Sequence, residues 1–155
     1  MPTKYSLVIA DTSCFILLDK IDKLDVLQHL FSVVYTTPEV ANEFGKQLPE
    51  WITIEASADH KYQQLLAQQV DLGEASAIAL SFGKENALLI LDDRRARRLA
   101  QKLKCSFTGT LGIIARAARE GVISSLEEVI SQIKQTNFRF SEATFDEVRK
   151  AAKRS

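Results

Sequence analysis

The chain has 155 residues, 46% of them hydrophobic, enough for one domain spanning 1–155 with a real core and short for two. Lysine plus arginine and aspartate plus glutamate balance at 20 each, so any nucleic-acid binding must come from a local patch rather than a global field. Cys14 and Cys105 lie far apart without Cys-x-x-Cys or Cys/His spacing, which argues against a disulfide framework or structural zinc and fits a reducing cytoplasm.

Met1-Pro2-Thr3-Lys4 runs into the apolar stretch Leu7-Val8-Ile9-Ala10, too short for a signal-peptide core or a membrane span, so a cytoplasmic protein with no membrane partner is expected. That stretch is continuously apolar and stops at Asp11, the pattern of a strand buried on both faces of a parallel sheet. Apolar spacing then predicts helices over 13–19 and 23–31. Val33 to Thr36 reads as a strand. Thr37-Pro38-Glu39 follows as N-cap, first-turn proline and early acid of a helix that carries Glu43.

Residues 51–55 resemble an edge strand, 60–69 a helix, and 73–82 a helix of small residues that Glu74 opens. Residues 87–91 form a second continuous apolar run, which ends in Asp92-Asp93. A basic helix over 94–103 and a strand near Ser106-Phe107 come next. From about 111 the chain reads as helical, over 111–119, 125–134 and 142–153, with Gly121 stopping the first of these. Alternating strands and helices predict an α/β fold, a three-layer α/β/α sandwich on a central parallel sheet with right-handed crossovers.

In such a sheet, sites form at the carboxyl ends of the strands, where Asp11 and the Asp92-Asp93 pair both fall. Asp11 taken singly is equally explained as a helix N-cap. Together they gather negative charge, which raises proton affinity unless a cation offsets it, and all-oxygen donors favour Mg²⁺ or Mn²⁺ over zinc.

Five segments in order carry a resemblance. They are Asp11-Thr12-Ser13, Pro38-Glu39-Val40 leading to Glu43, Leu72-Gly73-Glu74-Ala75, Leu91-Asp92-Asp93-Arg94-Arg95-Ala96-Arg97, and Thr108-Gly109-Thr110-Leu111-Gly112. The chain resembles the PIN-domain ribonucleases over nearly its whole length, in particular the VapC-like branch with DTS and GTLG segments. The resemblance implies a metal-binding, catalytic quartet of Asp11, Glu43, Glu74 and one of Asp92 or Asp93. Asp93 is favoured because an arginine follows it as in the family. Asp92 takes a place where many members have a hydroxyl or amide, so it is a fifth metal ligand, a group behind the ligands or a solvent-facing neighbour.

The implied activity is Mg²⁺- or Mn²⁺-dependent endoribonuclease cleavage of RNA, in a homodimer and with an antitoxin protein as partner if the chain is a toxin. Ser13, Arg94, Arg95 and Thr110 are the candidate nucleic-acid contacts, although capping explains the hydroxyls and a solvated helix face explains the arginines. Glu39 shares a helix with Glu43 and more simply favours that helix's N-terminus. His29, His60 and Cys14 read as structural or surface residues. Two other classes compete. An aspartyl-phosphate phosphotransferase would want a second Asp two residues after Asp11, where Ser13 stands. A non-catalytic RNA- or protein-binding PIN-like module would gain nothing from an acidic pocket. The last helix, with Phe145 and Val148 beside Lys150, Lys153 and Arg154, is either a partner-binding face or packed on its own domain.

Overall fold

The computed structural model describes residues 6–153, so the Met1-Pro2-Thr3-Lys4 start and Arg154 are among the residues, 1–5 and 154–155, that lie outside it. The two continuous apolar runs form the middle of the sheet: β1 (Leu7–Ala10) and β4 (Ala87–Ile90) pair in parallel, Leu7 opposite Ala87 and Ala10 opposite Ile90. β2 (Val33–Thr36) and β3 (Ile52–Ile54) extend the sheet beyond β1, and β5 (Ser106–Thr108) extends it beyond β4. The order is β3-β2-β1-β4-β5, all parallel.

Side chains alternate across the sheet, so each apolar strand feeds two cores. Val8, Ala10, Leu88 and Ile90 join one cluster with Phe15 and Leu18 of α1 (Thr12–Lys20) and with Ile113 and Ile114 of α7 (Thr110–Arg119). Ile9, Leu89 and Leu91 join the other, with Ala77 and Ile78 of α5 (Leu72–Ser81) and Ala96 and Leu99 of α6 (Arg94–Lys102). Helices on both faces of a parallel sheet make the three-layer α/β/α sandwich that the alternation predicted.

The remaining helices are α2 (Val26–Leu30), α3 (Pro38–Phe44), α4 (His60–Leu66), α8 (Leu126–Lys134) and α9 (Glu142–Lys153). The helix expected over 23–31 is shorter because Lys23 closes the preceding turn onto the Leu18 carbonyl and Asp25 stands at the helix N-cap. Gly121, at φ +79, stops α7 as expected, with the Val122 amide donating back to the Ala117 carbonyl. α9 packs on its own domain: Phe145 and Val148 are buried, and Phe140 meets Phe145 edge-on at 5.8 Å. No helix among the described residues is long and apolar enough to cross a membrane.

Lys104 follows α6 at φ +61, a left-handed conformation that a side chain resists. Lys104→Gly is expected to stabilise the fold by about 0.5–1 kcal/mol in urea denaturation, since glycine adopts that conformation without strain but loses more entropy on folding.

Candidate active site

Strand order locates the site. From β1 the chain moves to β2 and β3 on one side and then crosses to β4 on the other, so the order reverses between β1 and β4, where ligands bind in open α/β sheets. With Ala10 opposite Ile90, Asp11 leaves β1 at the edge where Leu91 and Asp92 leave β4.

Asp11 is the N-cap residue of α1, yet its side chain makes no capping bond. Only 4% of its surface is exposed, and its Oδ1 is buried without a hydrogen-bond partner. Burial raises its pKa from the ordinary 3.8 to about 7; Asp71, Glu43 and Asp92 push the same way, while the Thr12 amide opposes them.

Glu43 comes from α3, which starts where Thr37 accepts a bond from the Val40 amide and ends at the left-handed Gly45. Glu43 Oε1 accepts a short hydrogen bond from Thr12 Oγ1. Both groups face Gly73 in the first turn of α5. A Cβ at Gly73 would lie 2.9 Å from Glu43 Oε1 and 3.5 Å from both Asp11 Oδ1 and Thr12 Oγ1. Three oxygens, two from the start of α1 and one from α3, thus converge on a space that exists because residue 73 has no side chain.

Glu74, buried beside it, belongs to a capping box: its Oε1 accepts from the Asp71 amide while Asp71 Oδ1 accepts from the Glu74 amide at 2.8 Å. The cap commits one Glu74 carboxylate oxygen and leaves the other. Burial first, then the charges of Asp71, Asp11 and Asp93, raise the Glu74 pKa from 4.5 to about 8, against the Asp71 amide.

Asp92 and Asp93 have different surroundings. Asp92 Oδ1 accepts from the Thr110 amide at 2.8 Å, and Oδ2 accepts from the hydroxyls of Thr110 at 2.6 Å and Ser13 at 2.8 Å. Asp93 is exposed and caps α6, with Oδ2 accepting from the Ala96 amide at 3.0 Å. Its charge reaches Glu74, whereas that of Asp92 reaches Asp11 and Cys14. Asp92→Ala is expected to cost about 2–3 kcal/mol in urea denaturation, because it leaves buried Thr110 without an acceptor. Asp92→Asn keeps partners for those groups and costs about 1 kcal/mol or less; Asp93→Ala costs about 1 kcal/mol as a lost cap.

The other candidates fall around this centre. Ser13 and Thr110 direct their hydroxyls at Asp92, and Arg94 and Arg95 are exposed in the first turn of α6. Glu39 faces away from the cluster onto α4, where its Oε2 accepts from Gln63 Nε2 at 2.6 Å. His29 and His60 are exposed. Cys14 is fully buried, and desolvation holds its thiol far above the usual range, as suits packing rather than nucleophilic work.

Two participants carried no role from sequence alone, Gly73 and Asp71. An Asp three residues before Glu74 has the spacing of a capping box, the one local signal that could have found Asp71. Nothing local showed that it would sit against Asp11.

An unpartnered buried carboxylate oxygen, two carboxyls of raised proton affinity and a glycine-made space between oxygens are what a hard divalent cation would relieve. Asp11 and Glu43 flank that space, and the charges of Asp11 and Asp93 reach Glu74. Among the described residues, no group of three or more His, Cys, Asp or Glu side chains is placed so that it could hold a metal ion as it stands. The acids line the space rather than fill it.

No curated protein and no solved structure matches the chain. A family model described as a PIN domain matches residues 7–154. The parallel sheet with helices on both faces and the acids at its carboxyl edge agree with that match, and the chain belongs to the PIN-domain family, whose members are generally nucleases.

Proposed function

We propose that the protein is a metal-dependent endoribonuclease that hydrolyses RNA phosphodiester bonds, from the VapC-like branch of the family, acting in the cytoplasm. The observation that carries this reading is Asp11, whose buried Oδ1 lacks a partner and faces a space shared with Glu43. In this reading Asp11, Glu43, Glu74 and Asp93 hold Mg²⁺ or Mn²⁺, and Asp92 orders Ser13 and Thr110 behind them or adds a fifth ligand. When bound, the cation supplies charge stabilisation at the phosphate and lowers the pKa of the attacking water. Glu74 keeps one oxygen free of its cap, and that oxygen is the one it offers to the cation. Arg94 and Arg95, at the mouth of the same edge, suit contacts to phosphate without base reading.

The test is cleavage of single-stranded RNA and DNA with Mg²⁺, Mn²⁺ or EDTA, by wild type, Asp11→Asn and Glu74→Gln. Glutamine preserves a capping-box residue at position 74, so the second variant removes charge without removing the cap. Metal-dependent RNA cleavage lost in both variants is expected; equal cleavage by all three, or cleavage in EDTA, overturns the reading. A toxin role, with homodimerisation and an antitoxin partner, extends the proposal. Expressed wild type should slow growth more than Asp11→Asn, and equal growth would remove that extension.

A further inference from the structure

We infer that Ser76, through a buried hydroxyl relay to Thr37, is a positioning residue that sets the width of the space between Asp11, Glu43 and Gly73, and with it the affinity for a divalent cation there. The inference deepens the metal-dependent reading above and rests on it. Thr37 and Ser76 are both fully buried. Their hydroxyl oxygens lie 2.6 Å apart, and Ser76 Oγ is also 2.7 Å from the Gly73 carbonyl oxygen. Thr37 Oγ1 in turn accepts from the Val40 amide at 3.2 Å.

The available protons fix the direction of this relay. A carbonyl only accepts, so the single Ser76 hydroxyl proton goes to Gly73. Ser76 then has only lone pairs to offer Thr37, and the Thr37 proton goes to Ser76. The relay runs from the Val40 amide through Thr37 and Ser76 to the Gly73 carbonyl, each hydroxyl donating once and accepting once. It ties the N-cap of α3 to the first turn of α5. Glu43 near the end of α3 meets α5 a second time, at the space that Gly73 leaves. One residue before Thr37, Thr36 Oγ1 donates to the Ala10 carbonyl at 2.9 Å, immediately ahead of Asp11. Two adjacent threonines thus register α3 against the segments that bring Asp11 and Gly73.

The tolerance at that space is small, since a Cβ at Gly73 would already crowd Glu43 Oε1 at 2.9 Å. Packed helices slide past one another by small amounts, whereas a hydrogen bond between buried groups weakens steeply with misplacement. A helix serine commonly bonds back to a carbonyl of the preceding turn, which accounts for Ser76 and Gly73 but not for the partner on α3. Ser81 supplies the comparison. In the same helix its Oγ donates to the Ile78 carbonyl at 2.6 Å, and its neighbour on another element is the Cys105 thiol at 3.8 Å, ahead of β5 and so at the sheet edge opposite the acids.

The experiment is Mn²⁺ titration by calorimetry of wild type, Ser76→Ala, Thr37→Val, their double variant, Thr37→Ser and Ser81→Ala, beside circular dichroism and thermal melts. Ser76→Ala, which spares the α3 cap, and Thr37→Val should each weaken Mn²⁺ binding about tenfold. The double variant should bind no more weakly than the worse single one, because both break the same relay. Thr37→Ser keeps the hydroxyl and should bind as wild type does. Ser81→Ala loses the same kind of back-bond and should also bind as wild type does. At saturating Mn²⁺ the relay variants should cleave RNA with the wild-type kcat, a split that general loosening of the fold would not produce. Should Ser76→Ala fail to fold, Thr37→Val against Thr37→Ser carries the comparison. Wild-type Mn²⁺ affinity in Ser76→Ala or Thr37→Val, no rescue by Thr37→Ser, additive losses in the double variant, or an equal loss in Ser81→Ala overturns the inference. The nuclease reading fails separately, if wild type binds Mn²⁺ and cuts no RNA while the relay variants still bind the ion more weakly. A wild type that binds no Mn²⁺ overturns both.

Discussion

Asp11→Asn should reduce metal-stimulated RNA cleavage by on the order of 10²–10³ or more, and should raise the unfolding temperature of the metal-free protein at pH 8. The two effects have one cause. Asp11 is buried with an unpartnered oxygen, and its pKa stands at about 7 against an ordinary 3.8. Between those values the folded chain holds a proton that the unfolded chain has released, so folding stability falls as pH rises through the window, and the decline is complete above about pH 7. Glu74, raised from 4.5 to about 8, extends the decline to higher pH. Each tenfold difference in proton affinity between the folded and unfolded chain corresponds to about 1.4 kcal/mol. Asparagine cannot ionise, so the variant should gain on the order of 5 °C over wild type at pH 8 in EDTA and lose that advantage at pH 4. Mg²⁺ or Mn²⁺ should stabilise wild type and leave the variant nearly unmoved. Thermal melts across pH, with and without metal, test this. A wild type that melts above the variant at pH 8 in EDTA would mean the carboxylate is not strained by burial.

Gly73→Ala should preserve the fold and disable the site. On helix propensity alone, alanine inside α5 is better than glycine by about 1 kcal/mol. The added methyl, however, would sit 2.9 Å from Glu43 Oε1 and close on Asp11 and Thr12, displacing the oxygens from the space they share. We expect metal affinity to fall about 10–100-fold, with RNA cleavage falling alongside and recovering in part at high metal. Mn²⁺ titration by calorimetry, beside circular dichroism to establish the fold, measures both effects. Wild-type Mn²⁺ affinity in Gly73→Ala would show that the ion sits elsewhere on the acidic edge.

Much of this architecture was legible in the residues because its signals are local. Strands buried on both faces must be apolar throughout, so Leu7–Ala10 and Ala87–Ile90 announced themselves and the acids behind them marked the sheet's carboxyl edge. Thr37-Pro38 and Gly121 marked helix ends through capping chemistry that needs no distant partner. Boundaries were less visible where a turn competes for the same residues, as at Lys23 and Asp25, and at the edge, where β3 keeps only Ile52–Ile54 of the five residues expected.

The amino-acid sequence by itself thus determined the layers, the parallel sheet and the edge at which the carboxylates would gather. Only the tertiary structure decided which oxygens are committed and which are left over. Asp92 is held by Ser13 from 79 positions away, Glu43 by Thr12 from 31, and the space between Glu43 and Asp11 is kept open by Gly73 on a third element. Those relations follow from strand register and helix docking, which bring distant segments within hydrogen-bond reach, and no local periodicity encodes them. The acidic edge could be read from the chain. The uncommitted oxygen of Asp11 required the fold.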